Sequence, residues 1–153
     1  GQVSRYVHLE AGVNSRLDDL QAAVLRARLP LLPRWTSRRR SLAASYRHAL
    51  PDTVRPLREY DDGHVYHLFV VRSPDRDALQ AHLGASGIET LIHYPVPLPN
   101  QPAFAGLARG ECPVAARAAG EILSLPLHPR LADADVARVS AAIGTFQKGR
   151  ILT

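Results

Sequence analysis

Gly12-Val13-Asn14-Ser15-Arg16-Leu17-Asp18-Asp19-Leu20-Gln21-Ala22-Ala23 is the stretch on which the reading of this chain turns. A polar loop runs there into a long helix. Asn14 or Ser15 can accept a hydrogen bond from a free amide of the first turn. Asp18 and Asp19 then fall in the early turns, where negative charge suits the positive end of the helix dipole. Leu17, Leu20, Val24, Ala27 and Leu31 make one apolar stripe, and Leu25, Leu29 and Leu32 a second. Spacings of three and four on two stripes predict a helix packed on two sides, a spine between two bodies. A helix start behind a polar loop is also an anion site. Asn14 and Ser15 therefore carry two readings, a plain cap or a phosphate contact, and from the residues alone the commoner one is the cap.

Outward from this stretch, Pro30 lacks an amide hydrogen and clashes with the preceding turn, so the first helix, begun near Ser15, kinks or ends near Leu29. A second helix is predicted over 34–50, with Trp35, Leu42, Tyr46 and Ala49 on its apolar face and Pro51-Asp52 closing it. Residues 54–57 read as a short strand and Asp61-Asp62-Gly63 as a turn. Residues 64–72, rich in aromatic and β-branched side chains, read as the clearest strand. His64 and His67 stand three apart there, face opposite sides and do not easily share a metal ion, so both read as structural.

Ser73-Pro74-Asp75 starts a helix that carries Ala78, Leu79, His82 and Leu83 to about Ser86, where Gly87 supplies a left-handed C-terminal residue. Residues 88–94 read as a second strand. Four prolines then fall between His93 and Pro102 and fix a stiff, extended path. His93 and Tyr94 stand at the strand exit, where a rigid loop presents side chains to a ligand; a surface crossover with a half-buried His and Tyr is the plainer alternative. A helix over 113–121 and a third strand over 122–127 follow, with Cys112 read as a small buried apolar residue. Asp133 caps a last helix carrying Val136, Val139, Ala142, Ile143 and Phe146, and the tail beyond Gly149 reads as loose. The order α-α-β-α-β-α-β-α is that of an α+β fold without internal repeats.

Composition sets bounds on function. A chain of 153 residues, 46% hydrophobic and 22% charged, is one domain of ordinary size with a real core. No apolar run is long enough to cross a bilayer and no signal peptide stands at the start, so a cytoplasmic protein without a membrane partner is expected. One cysteine gives neither an internal disulfide nor a metal cluster. The net charge of +5 raises nucleic acid as a partner. Yet Lys148 is the one lysine, and the arginines are scattered apart from Arg38-Arg39-Arg40, which reads as a solvated or interface-facing helical surface. No aromatic-basic platform accompanies the charge, so no nucleic-acid partner is expected. The chain holds no methionine and its first residues read like an extended segment without a partner, so a preceding segment is expected.

The stretch at 12–23 resembles the opening of the C-terminal domain in the DegT/DnrJ/EryC1/StrS sugar aminotransferases. So do Leu29-Pro30 with Trp35 and Arg38-Arg39-Arg40, His64-Val65-Tyr66-His67-Leu68-Phe69, Ile92-His93-Tyr94-Pro95, Gln101-Pro102 and Leu123-Ser124-Leu125-Pro126-Leu127, all in family order. The resemblance implies the C-terminal small domain of a fold-type I aminotransferase dependent on pyridoxal 5'-phosphate: two long helices, then a small sheet with packed helices. Its segments would be 1–14 as an extended piece of the large domain, 15–50 as interface helices, 51–148 as the small α+β domain and 149–153 as a tail.

In the family the large domain supplies the Schiff-base lysine, and Lys148 does not match it. The resemblance therefore implies no catalytic residue and no activity for this chain alone, since transamination needs an amine and arginine cannot replace it. The whole enzyme would move an amino group from glutamate or glutamine to a keto sugar, usually nucleotide-linked. Active sites in the family form across a homodimer. Asn14 matches the asparagine that bonds the cofactor phosphate of the other subunit, Arg16 lies beside it, and His93 and Tyr94 match a pair on the sugar-nucleotide side. The chain departs from the pattern at Pro99 and Phe104, where a His and a Tyr are usual, which removes two polar contacts. A non-catalytic dimerisation or interaction module of the same fold is the alternative.

Overall fold

The computed structural model describes residues 2–4, 7–8, 17–102 and 111–151. It contains two compact units, Gly1–Arg34 and Trp35–Thr153.

In the first unit β1 (Gln2–Ser4) pairs antiparallel with β2 (Val7–His8). The first helix, α1 (Asp19–Arg28), starts later than the sequence predicts. Its cap is Asp18, whose backbone is extended and whose Oδ1 accepts from the Leu20 amide at 2.9 Å. A carboxylate one residue before the helix both fills an orphan donor and complements the dipole. Asn14, Ser15 and Arg16 lie outside the described residues. Pro30 acts as predicted: the α-helix stops at Arg28 and a 3₁₀ turn spans Leu29–Leu31. The two apolar stripes are both open. No residue of α1 is buried, and Leu20 is 75% exposed.

The second unit is built on an antiparallel sheet in the order β3-β4-β5: β3 (Arg55–Pro56), β4 (Phe69–Arg72) and β5 (Ile122–Leu125). The register sets Arg55 opposite Arg72, Val71 opposite Leu123 and Phe69 opposite Leu125. The strand predicted over 64–72 keeps only its second half. Tyr66 takes a left-handed φ of 49°, which ends the extended run. Its ring turns inward, buried, 6.2 Å from that of Phe69. Burial of that ring overrides the β propensity of its neighbours.

The helix α2 (Leu32–Ala49) lays Leu42, Ala43 and Tyr46 into the core beside Phe69, Val71, Leu123 and Leu125. The predicted face is shifted: Ala43 is buried and Ala49 exposed. Arg38-Arg39-Arg40 is not a free surface. The Arg38 guanidinium donates to the Leu131 carbonyl at 2.7 Å and to Asp133 at 2.9 Å. Arg39 donates to the Val65 carbonyl at 2.8 Å, and Arg40 to those of His64 and Asp62. Arg47 adds a bond to the Leu57 carbonyl at 2.6 Å. Carbonyls that no strand partner takes must find donors elsewhere, and a row of guanidinium groups supplies them.

The helix α3 (Arg76–Ala85) buries Leu79 and Leu83 and leaves Ala78 exposed. Arg76 is itself buried. Its Nη1 donates to the Ala119 and Ile122 carbonyls, both at 3.1 Å, at the end of α4 (Pro113–Glu121). A cation there satisfies helix-end carbonyls and suits the negative end of the dipole. Gly87 behaves as predicted, with φ 69°. Its amide donates to the Gly84 carbonyl and that of Ile88 to the Leu83 carbonyl, each at 2.9 Å, which is a Schellman ending. The strand predicted over 88–94 contracts to one bridge, Leu91 with Ser124, because the prolines just beyond lack the donors to lengthen a ladder.

Cys112, expected to be buried, is exposed in front of α4. Asp133, expected as a cap, is the first residue of α5 (Asp133–Ile151). Its carboxylate accepts from Arg38, while Asp135 reaches back to the Ala132 amide at 3.2 Å. The helix continues past Gly149, where a loose tail was expected. The imidazole of His82 joins α3 to the Ala142 carbonyl of α5 at 3.0 Å.

Gly87→Ala is expected to cost about 1–2 kcal/mol, read as a lower urea midpoint with an unchanged slope. An added Cβ meets nothing within 4 Å, so the cost lies in the backbone alone. Tyr46 gives a pH prediction. Burial first, and the Asp135 charge second, push its phenol above the ordinary 10.0. As pH rises past about 10 the unfolded chain ionises there before the folded one, so stability is full below that pH and falls above it. Tyr46→Phe is expected to flatten this alkaline slope, at a loss of about 1 kcal/mol at neutral pH for the hydrogen bond that the Tyr46 hydroxyl donates to the Pro126 carbonyl. Urea titrations on both sides of pH 10 check it.

Candidate functional site

A cleft of about 550 Å³ opens in the second unit where three pieces of chain meet. One wall is the segment from Gly87 to Leu91 and on to His93. The second is β5 with the turn that follows it, and the third is the beginning of α5. Its chemistry lies in His67, Glu89, Thr90, His93, Ser124, His128, Asp135 and Arg138. The floor is apolar and belongs to the core, through Ile88, Leu125, Leu131 and Val139.

His93 is placed by the bridge at Leu91. The Ser124 amide donates to the Leu91 carbonyl at 2.7 Å, and the Leu91 amide to that of Ser124 at 3.3 Å. Two residues on, His93 Nδ1 lies 2.9 Å from Ser124 Oγ, and Ser124 is 94% buried, with 6% exposed. Tyr94 follows after a cis peptide bond. Its ring stands edge-on to that of His93, with centroids 5.5 Å apart, and is 72% exposed. The structure thus brings His93 into the cleft and leaves Tyr94 at its side, outside the lining. Asn14 and Arg16 lie outside the described residues, so the structure does not place them.

Three lining residues escaped the sequence reading. His67 was assigned to a strand and a structural role; the strand begins only at Phe69, and His67 lines the cleft exposed. His128 stands in the turn after β5. Its Nδ1 accepts from the Arg130 amide at 3.2 Å, so in the neutral ring the proton sits on Nε2. Arg138 lies one turn beyond Asp135 on α5. The signal for His128 was in plain view: it stands at a strand exit with Pro129 just beyond, the same context that singled out His93 ahead of Pro95. Nothing local marked Arg138, which is one of many arginines. Among the described residues no group of three His, Cys, Asp or Glu side chains is arranged to hold a metal. No described helix is long and apolar enough to cross a membrane.

The cleft therefore offers N–H donors from imidazole and guanidinium, the acceptor carboxylates of Glu89 and Asp135, and an apolar floor. Such a lining suits an oxygen-rich ligand with an apolar or aromatic part.

Comparison with known proteins gives the family. The profile of the DegT/DnrJ/EryC1/StrS aminotransferase family matches residues 1–144, and the chain belongs to that family. It is 46% identical, over 94% of its length and 39% of the relative's, to the dTDP-3-amino-3,4,6-trideoxy-alpha-D-glucose transaminase of Streptomyces venezuelae. It is 47% identical, over 86% of its length and 37% of the relative's, to the erythromycin biosynthesis sensory transduction protein EryC1 of Saccharopolyspora erythraea. Among solved structures, S. venezuelae DesV in complex with a ketimine intermediate superposes with a TM-score of 0.82 at 43% identity, over 93% of this chain and 40% of that one.

The chain spans about two-fifths of the length of the curated relatives it matches. The family is one of pyridoxal 5'-phosphate-dependent aminotransferases. The residues lining the cleft do not fit covalent attachment of that cofactor, because they include no lysine. Lys148 stands ten residues beyond Arg138 on α5, about 15 Å along the axis at 1.5 Å per residue.

Proposed function

We propose that these residues work as the C-terminal small domain of a fold-type I, pyridoxal phosphate-dependent aminotransferase acting on a nucleotide-linked keto sugar. The observation that carries the reading is His93, tied to buried Ser124 in a donor-lined cleft, in a chain of a sugar aminotransferase family. A nucleoside diphosphate sugar presents phosphate and hydroxyl oxygens, which accept from imidazole and guanidinium N–H groups. It also presents a base and a sugar ring that an apolar floor can cover. In this reading His93 binds on the sugar-nucleotide side and Tyr94 covers the cleft rim. Asn14, helped by Arg16, bonds the cofactor phosphate of a partner subunit across a homodimer.

The segments keep the roles that the resemblance implies, with 15–50 at the interface and 51–148 as the body of the domain. The amino donor is glutamate or glutamine. The cofactor supplies the electron sink for moving the amino group; the part of this chain is to bind and orient the sugar nucleotide. The amine that bonds the cofactor is not among the cleft residues, so the chain by itself binds without transaminating.

Two measurements test this. Thymidine diphosphate titrated calorimetrically into the chain should bind, and His93→Ala should weaken that binding about tenfold, or about 1.4 kcal/mol. Equal affinity for both would remove His93 from the site. Pyridoxal phosphate added to the chain should keep its free absorbance spectrum. A band that borohydride fixes to the protein would show that an amine of the chain does bond it.

A further inference from the structure

The second role in the cleft belongs to Ser124, a residue that sequence reading placed only on a strand. Its backbone is fully used: the Leu91 bridge takes its amide and carbonyl, and it lies opposite Val70 in the β4–β5 register. The residue is buried, and among the described residues the one hydrogen-bond partner of its hydroxyl is His93 Nδ1, at 2.9 Å in a part-buried bond.

Two arrangements of that bond exist. If Nδ1 carried the proton and donated to Oγ, the serine O–H would be left without an acceptor among the described residues. An unmade donor there costs about 1–3 kcal/mol. If instead Oγ–H donates to an unprotonated Nδ1, one bond satisfies both the hydroxyl proton and the ring lone pair. What remains unused is lone-pair capacity on the serine oxygen, which is the cheaper omission. The second arrangement puts the ring proton on Nε2.

We propose that Ser124 is a positioning residue that holds the neutral His93 ring as its Nε2–H tautomer, so that His93 meets a ligand as a hydrogen-bond donor. His128 is set the same way by the Arg130 amide. With Arg138 on the facing helix, the cleft then presents donors from three sides, beside the acceptor carboxylates of Glu89 and Asp135. That selects acceptor oxygens, such as those of a phosphate or a sugar hydroxyl, and excludes His93 as a proton acceptor while neutral. The tautomer assignment stands on the structure alone; its use in binding rests on the sugar-nucleotide reading above.

The test is a long-range ¹H–¹⁵N spectrum of the histidine rings of the uniformly labelled chain, at a pH where they are neutral. His93, assigned through His93→Gln, should show a bare, pyridine-like Nδ1 and a protonated, pyrrole-like Nε2. The reverse pattern overturns the proposal. Ser124→Ala should shift His93 toward a mixture of tautomers, and Ser124→Thr, which restores a hydroxyl on a strand residue, should return it to the original pattern. An unchanged His93 in Ser124→Ala, with the backbone amide spectrum intact, also overturns the proposal. Thymidine diphosphate added to the same sample separates the two readings. A shifted Nε2 supports the use of the donor in binding; an unmoved one removes the nucleotide reading and leaves the tautomer standing.

Discussion

The fold of the second unit depends on one buried side chain, Tyr46. Its ring stacks on Phe69 with centroids 4.9 Å apart, and its hydroxyl donates to the Pro126 carbonyl at 3.0 Å. The first contact fixes α2 to the centre of the sheet, and the second fixes it to the end of β5. Full burial of a large side chain stabilises by about 2–3 kcal/mol, and the hydroxyl would cost that back without an acceptor. Pro126 provides one because, lacking an amide hydrogen, it ends β5 and leaves its carbonyl free of a ladder. One tyrosine thus ties the helix to the centre of the sheet and to the strand end that Pro126 makes.

That stopping point makes the cleft. Beyond Pro126 the chain turns through His128 into α5, and the bridge at Leu91 brings His93 against the same strand end. Polar groups gather there because the sheet has run out of pairing, so backbone and side chains bond each other instead. The arginines of α2 do the equivalent at the other margin of the sheet, where they take up the carbonyls of residues 57–65. Arg39, Arg40 and Arg47 are thereby used within the fold. A guanidinium that already holds a carbonyl has fewer donors left for a phosphate.

Much of this was legible in advance where the signal was local. Gly87 needed only its own conformation, Pro30 its missing donor, and the helix over 113–121 its proline start; each stands where the residues put it. The family and the α+β class were also legible, since they rest on short segments in order. The errors share a different cause. Tyr66 and its neighbours carry β propensity, yet the ring is drawn into the core and the strand breaks. Asp18 was placed inside a helix that it caps. Cys112 was assigned to the core by residue type alone. In each case, which of several permitted partners a residue takes is decided by what lies across the fold.

The sequence by itself determined the periodicities, the breakers and the family, because these depend on residues near one another along the chain. It also pointed to His93, through the prolines that stiffen the path beyond it. Only the tertiary structure decided that His93 meets Ser124 and shares a cleft with His67, His128 and Arg138. Ser124 comes from 31 residues away, and the approach of these partners depends on sheet register and on where each strand ends. Those are set by the summed burial of the core rather than by any local pattern.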